Sequence, residues 1–159
     1  MGIVAAMNKM TALITAVVPI QDPGESFHSI DDRGAAATLE EVVRSGDSRC
    51  FDVGTVALPV GDGEAGAADC GTLRARVVIA VRVGYQREKG SDGRHLDGKV
   101  AEDMRRILTA LRLPSGWDAA TTGIVSIVPP DVPAVPTLPE GGGLIITQLF
   151  TVLYREEAA

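Results

Sequence analysis

The chain has 159 residues, 45% hydrophobic and 23% charged, which is the length and balance of one folded domain and lies outside the ranges of disordered or membrane-embedded chains. Aromatic residues are only 4%, so the core has to be built from Val, Ile, Leu and Ala. With 15 basic against 21 acidic residues the net charge is -6, which sets the chain against duplex nucleic acid, because phosphate binding needs clustered Lys and Arg. A protein or small-molecule partner is the expectation.

In chain order, Ile3, Met7, Met10, Ile14 and Val17 fall on one stripe of a helix over residues 3 to 18, which Pro19 stops. The run from Met7 to Ile20 has a lysine before apolar residues, but no small-x-small cleavage site follows it, and it is too short to span a bilayer. Residues 26 to 37 carry no clear period, with Phe27 and Ile30 as anchors for a short strand or pinned loop. Thr38 to Ser45 reads TLEEVVRS, a capping box from Thr38 to Glu41 that opens a short helix ending at Gly46. Arg49 to Leu58 is strand-like, with Gly54 a candidate bulge, and the glycine-rich segment 59 to 71 is a surface loop.

The clearest strand is Leu73 to Tyr85. Leu73, Ala75, Val77, Ile79, Val81, Val83 and Tyr85 alternate with a second face carrying Arg74, Arg76 and Arg82. At about 3.3 Å per residue it extends roughly 43 Å, longer than the common strand. After the charged loop 86 to 95, Asp97 caps a helix whose inner face is Val100, Met104, Ile107, Leu108 and Leu111, with Lys99, Glu102, Asp103, Arg105, Arg106 and Arg112 on the outer side. A short strand over residues 123 to 128 leads into a proline-rich extended segment, 129 to 139, which is unsuited to a central strand. The last strand, 144 to 156, is apolar on both faces: Leu144, Ile146, Phe150, Val152 and Tyr154 on one, Ile145, Leu149 and Leu153 on the other. Two apolar faces need two covers. Helices supply one, and a neighbouring subunit is the expected second.

Together these elements predict a single α+β domain: a mixed or antiparallel sheet of about four strands, two main helices on one face and a short extra helix. No catalytic residue and no metal site is expected. His28 and His95 sit in polar, turn-rich stretches, and the closeness of Ser26, His28 and Asp31 in sequence carries little weight because triads are assembled in space. Cys50, Cys70, His28 and His95 come from four separate segments without paired zinc-ligand spacing. Cys50 is expected in the core beside Phe51 and Cys70 in a loop; the pair fits a reduced, cytoplasmic site of synthesis, with a single Cys50–Cys70 bridge as the alternative. The glycines at 61 to 66 and 141 to 143 lack the strand-to-helix order of a phosphate cradle. The arginine row is the one charged feature suited to steering a partner.

The element order, with the strand RARVVIAVRVGYQ, the helix VAEDMRRILTALRL and the terminal EGGGLIITQLFTVLYRE, resembles the tail terminator, or tail completion, proteins of long-tailed bacteriophages and gene transfer particles, over about three quarters of the chain. Residues 26 to 46 and the long proline segment depart from that pattern. The resemblance implies a virion protein of the tail and neck, assembled in the host bacterial cytoplasm as a ring, a homo-oligomer of hexameric order, that caps the tail tube protein and meets a head-completion or neck protein. It implies no cofactor, no membrane and no catalysis. Arg74, Arg76, Arg82, Arg87, Lys89, Arg94, Ile145, Leu149 and Leu153, with the two loops, are the expected contact residues. The rival expectations are another neck or minor tail component, a small ligand-binding or enzymatic α+β domain, and an adaptor with no virion role.

Overall fold

The computed structural model describes residues 3–33, 37–56, 60–61, 72–86, 93–112, 124–128, 134–139 and 142–157. The architecture is α+β. Helix α1 (Ile3–Thr15) is followed by β1 (His28–Ser29), a 3-10 turn (Ile30–Arg33), α2 (Leu39–Arg44), β2 (Cys50–Thr55), β3 (Val60–Gly61), β4 (Thr72–Tyr85), α3 (Gly93–Arg112), β5 (Ile124–Val128), β6 (Val135–Thr137) and β7 (Leu144–Glu157). These strands form one mixed sheet of seven, in the order β1-β2-β4-β7-β5, with β3 beside β4 and β6 beside β7. The sheet is larger than the four strands expected, because short pieces of irregular-looking sequence pair with the two long strands. Val60 and Gly61, inside the expected loop, pair with Arg76 and Ala75, and Val135 to Thr137, inside the proline segment, pair with Thr147 to Ile145.

The long strands β4 and β7 are the spine, antiparallel from Thr72↔Glu157 to Tyr85↔Leu144 without a register break. Because paired residues point to one side, Val77, Val81, Val83 and Tyr85 share a face with Val152, Gln148, Ile146 and Leu144. That face packs against α1 and α3 in a core that includes Ala6, Met10, Ile14, Met104, Ile107, Leu111 and Phe150. The helix stripes are those the apolar spacing predicts.

Several boundaries differ. Helix α1 ends at Thr15 rather than 18, since Pro19 disfavours helical backbone at Val18 and Val17 N–H already donates to Ile14 O in a tightened last turn. Helix α3 starts at Gly93, so Asp97 is inside it and not its cap; Leu96, packed against the core, extends the apolar stripe backwards. Gly54 keeps straight register opposite Ala80, and the irregularity falls instead between Ile124 and Ser126 on β5. The Thr38–Glu41 capping box forms as expected. Residues 57–59, 62–71, 87–92 and 129–133, which hold most of both expected loops, part of the proline segment and Cys70, lie outside the described residues.

Candidate interaction face

On the second face of the sheet, strand register sorts the side chains into rows that run across the strands. The first row, Cys50, Gly84 and Ile145, is roofed by α2 through Leu39, Val42 and Val43. The helix sits very low. A Cβ on Gly84 would overlap Val43 Cγ2 and lie 3.1 Å from Cys50 Sγ, and a Cβ on Gly143, at φ +93, would overlap Val43 Cγ1. Glycine at both places lets α2 approach the backbone.

The next row, Asp52, Arg82 and Thr147, is polar. Arg82 Nε donates to Asp52 Oδ1 at 2.9 Å and its Nη1 to Glu40 Oε1 at 2.8 Å, with Nη2 also on Asp52. The Asp52 hydrogen bond raises the Arg82 pKa. Glu40 lies below the ordinary carboxylate range, held there first by a backbone hydrogen bond at the start of α2 and then by Arg82. Arg82, expected to reach a partner, is thus bound within its own chain and ties α2 to β2 and β4.

Beyond that row α2 no longer covers the sheet. Gly54, Ala80 and Leu149 form one row, Val56, Val78, Thr151 and Val128 the next, and Arg76, Leu153 and Ser126 the last. Leu149 is 44% exposed, Val128 46% and Val56 57%, and Arg76 is exposed. Val135, on the same side by its pairing with Thr147, is exposed as well. A contiguous apolar sheet surface open to water is the usual mark of an interaction site.

The expected contact residues therefore divide. Leu149, Leu153 and Arg76 lie on the open rows. Ile145 does not: at 3% exposure it is enclosed beneath α2, the helix that sequence reading placed in the chain but not over this strand. Arg74 in β4 and Arg94 in the first turn of α3 are located by backbone alone, and Arg87 and Lys89 lie outside the described residues.

A second cluster was not legible in the sequence. Arg49 is fully buried and left-handed, at φ 58, a conformation unusual outside glycine. Its Nε donates to Asp103 Oδ2 at 2.7 Å and its Nη1 to Asp22 Oδ2 at 2.9 Å and to Glu25 Oε2. Tyr85 Oη donates to the same Asp103 oxygen at 2.9 Å, Lys99 Nζ lies 2.8 Å from Asp22, and the guanidinium stands 6.0 Å from the Phe27 ring centroid. Burial opposes the Arg49 charge, yet Asp103 and Asp22 outweigh it and raise its pKa. Lys99, and then Arg49, hold Asp22 below the usual carboxylate range. Burial, and then the Asp103 charge, push the Tyr85 phenol well up. Asp103 and Lys99, expected on the solvent side of α3, are at 1% and 7% exposure because Arg49 and Asp22 meet them there. The spacing 99, 103, 107 was the available signal: it runs beside the apolar stripe of α3. This network clasps the α1–β1 connection to α3 and β4, with Arg49 and Asp103 buried and Asp22 and Glu25 reaching the surface.

His28 stands exposed at the surface, its Nε2 3.4 Å from Ser26 Oγ. Among the described residues no group of three or more His, Cys, Asp and Glu side chains is placed to hold a metal ion, and no helix is long and apolar enough to cross a membrane. No family model and no curated protein matches this chain. The open half of the sheet is left as the feature that asks for a partner.

Proposed function

We propose that this chain is a structural assembly subunit of the tail-terminator kind, a ring-forming protein that caps a tail tube, stops its growth and joins it to the neck. The observation that carries the reading is the half-covered second face of the sheet. A single copy buries Ile145 under α2 and leaves Leu149, Val128 and Val56 in water. Covering such a surface is worth about 25 cal/mol per Å² of apolar area, which favours a protein partner over solvent. The specific placement at a tail end rests on the element order, and the acidic net charge of -6 suits protein partners, a tube protein below and a neck or head-completion protein above, better than nucleic acid. In this reading the protein carries out no catalysis and holds no cofactor, and it resides in the tail or neck of a virion built in the host bacterial cytoplasm.

The test is reconstitution. The full chain is mixed with tail tubes polymerised from a tail tube protein, and tube length and end structure are followed by electron microscopy. Rings on tube ends and arrested elongation support the proposal. Tubes that grow with bare ends in its presence would remove it.

A further inference from the structure

Most of the exposed large apolar residues fall into two patches on opposite sides of the sheet. Val56, Val128 and Leu149 belong to the open half, bordered by Val135 beside Thr147; Val4, Val18 and Ile20 belong to α1 and its exit on the other side; Leu138, just past β6, is exposed as well. The outer stripe of α1 is unusual for a helix that faces water. Val4, Asn8, Ala12, Thr15 and Ala16 are exposed and none is charged, whereas the corresponding stripe of α3 is Asp97, Ala101, Arg105, Thr109 and Arg112. A solvent-facing helix normally carries charge on its outer side, as α3 does. A neutral stripe of small residues instead suits close approach to another flat surface.

We infer that α1 of a second copy of this chain docks, head to tail, on the open half of the sheet. The dimensions agree. From the Arg82 row to the Arg76 row is six residues, about 20 Å, and the four strands β2, β4, β7 and β5 span about 19 Å; α1, with 13 residues, is about 20 Å long. The chemistry agrees too: Gly54 and Ala80 leave a shallow floor, Leu149 and Val78 supply apolar walls, and the exposed stripe of the docking helix is uncharged, with the half-buried Lys9 at its edge beside Ala12 and Ala16. Because the two patches lie on opposite faces, the contact is heterologous, and repeating it generates a ring or an open filament, never a closed two-fold pair. The footprint of α1, about 20 Å long and about 10 Å across, is about 200 Å², well below the roughly 800 Å² per partner of a standard stable interface. A single contact is therefore weak, and closure, in which every copy makes two, holds the assembly together.

This inference rests on the reading of the open face as a subunit contact, and sedimentation velocity of the full chain over a wide concentration range separates the two. Wild type is expected to self-associate. Ala12→Glu on α1 and Leu149→Lys on the sheet change exposed positions and keep the native circular dichroism spectrum. Each alone weakens self-association by about tenfold or more. Mixed one to one they reach a dimer at the highest concentrations and nothing larger, because one variant retains only the sheet patch and the other only the helix patch, and the single contact left to them is weak. Val4→Glu repeats the test at the other end of the stripe. If the α1 variants assemble like wild type while Leu149→Lys does not, the face is a contact but α1 is not its occupant, and the inference is overturned. If all variants behave like wild type, or wild type is monomeric throughout, both the inference and the subunit reading of the face fail.

Discussion

Val43 on α2 occupies the space that a side chain on Gly84 would need: its Cγ2 methyl stands where the Cβ would be, with Cys50 Sγ at 3.1 Å behind it. Covering of the sheet's first row depends on this approach, and so does the step between its covered and open halves. Gly84→Ala is expected to destabilise the protein by about 1–3 kcal/mol through overpacking. Removing methyls from the helix, as Val43→Ala, should recover part of that loss in the double variant, since the two residues share one contact. Urea unfolding of the two single variants and the double variant measures the coupling; strict additivity would show that α2 moves away freely.

Asp103 neutralises a guanidinium that has no access to water. Asp103→Ala leaves Arg49 buried with one fewer counter-ion, and breaking such a pair costs about 3–5 kcal/mol. Tyr85→Phe removes only one hydrogen bond to that carboxylate, about 1.5–3 kcal/mol. Chemical denaturation should rank the two in that order. Equal, small effects would mean the cluster is not the clasp described.

Acid should loosen the same clasp through Asp22. Its carboxyl is held below the ordinary value of 3.8 by Lys99 and Arg49, so it binds fewer protons folded than unfolded. The stabilisation it contributes is fully present above 3.8 and is lost as pH falls below that value through the folded pKa. Asp22→Asn should therefore be less stable than wild type at neutral pH, with the gap closing as acid is added. Thermal melts from about pH 7 to about pH 2 test this, and a gap independent of pH would contradict it.

Arg82 links the helix to the sheet, and its partly exposed ion pairs with Asp52 and Glu40 are worth about 1 kcal/mol or less. Arg82→Ala should change global stability little but speed amide hydrogen exchange across Leu39–Arg44. Because the residue is engaged within its own chain, self-association should survive the change. Loss of self-association with unchanged exchange in α2 would instead place Arg82 in the subunit contact.

Local pattern carried most of the architecture. The alternation in RARVVIAVRV and the two-sided apolar character of LIITQLFTVLY located the paired long strands and separated their faces. The 3.6 period located α1 and α3, and TLEE located the start of α2. Periodicity suffices there because a helix or strand is specified by residues a few positions apart. It also singled out Leu149 and Leu153, which lie on the open rows.

What only the tertiary structure decided involves contacts between residues far apart in the chain. Arg49 and Asp103 are 54 positions apart, so neither could be recognised from its neighbours as half of a buried ion pair. The covering of Ile145 required α2, about a hundred residues earlier in the sequence, to find two glycines in separate segments beneath Val43. A strand's pattern says that a face is apolar; what lies on that face depends on where the rest of the chain packs.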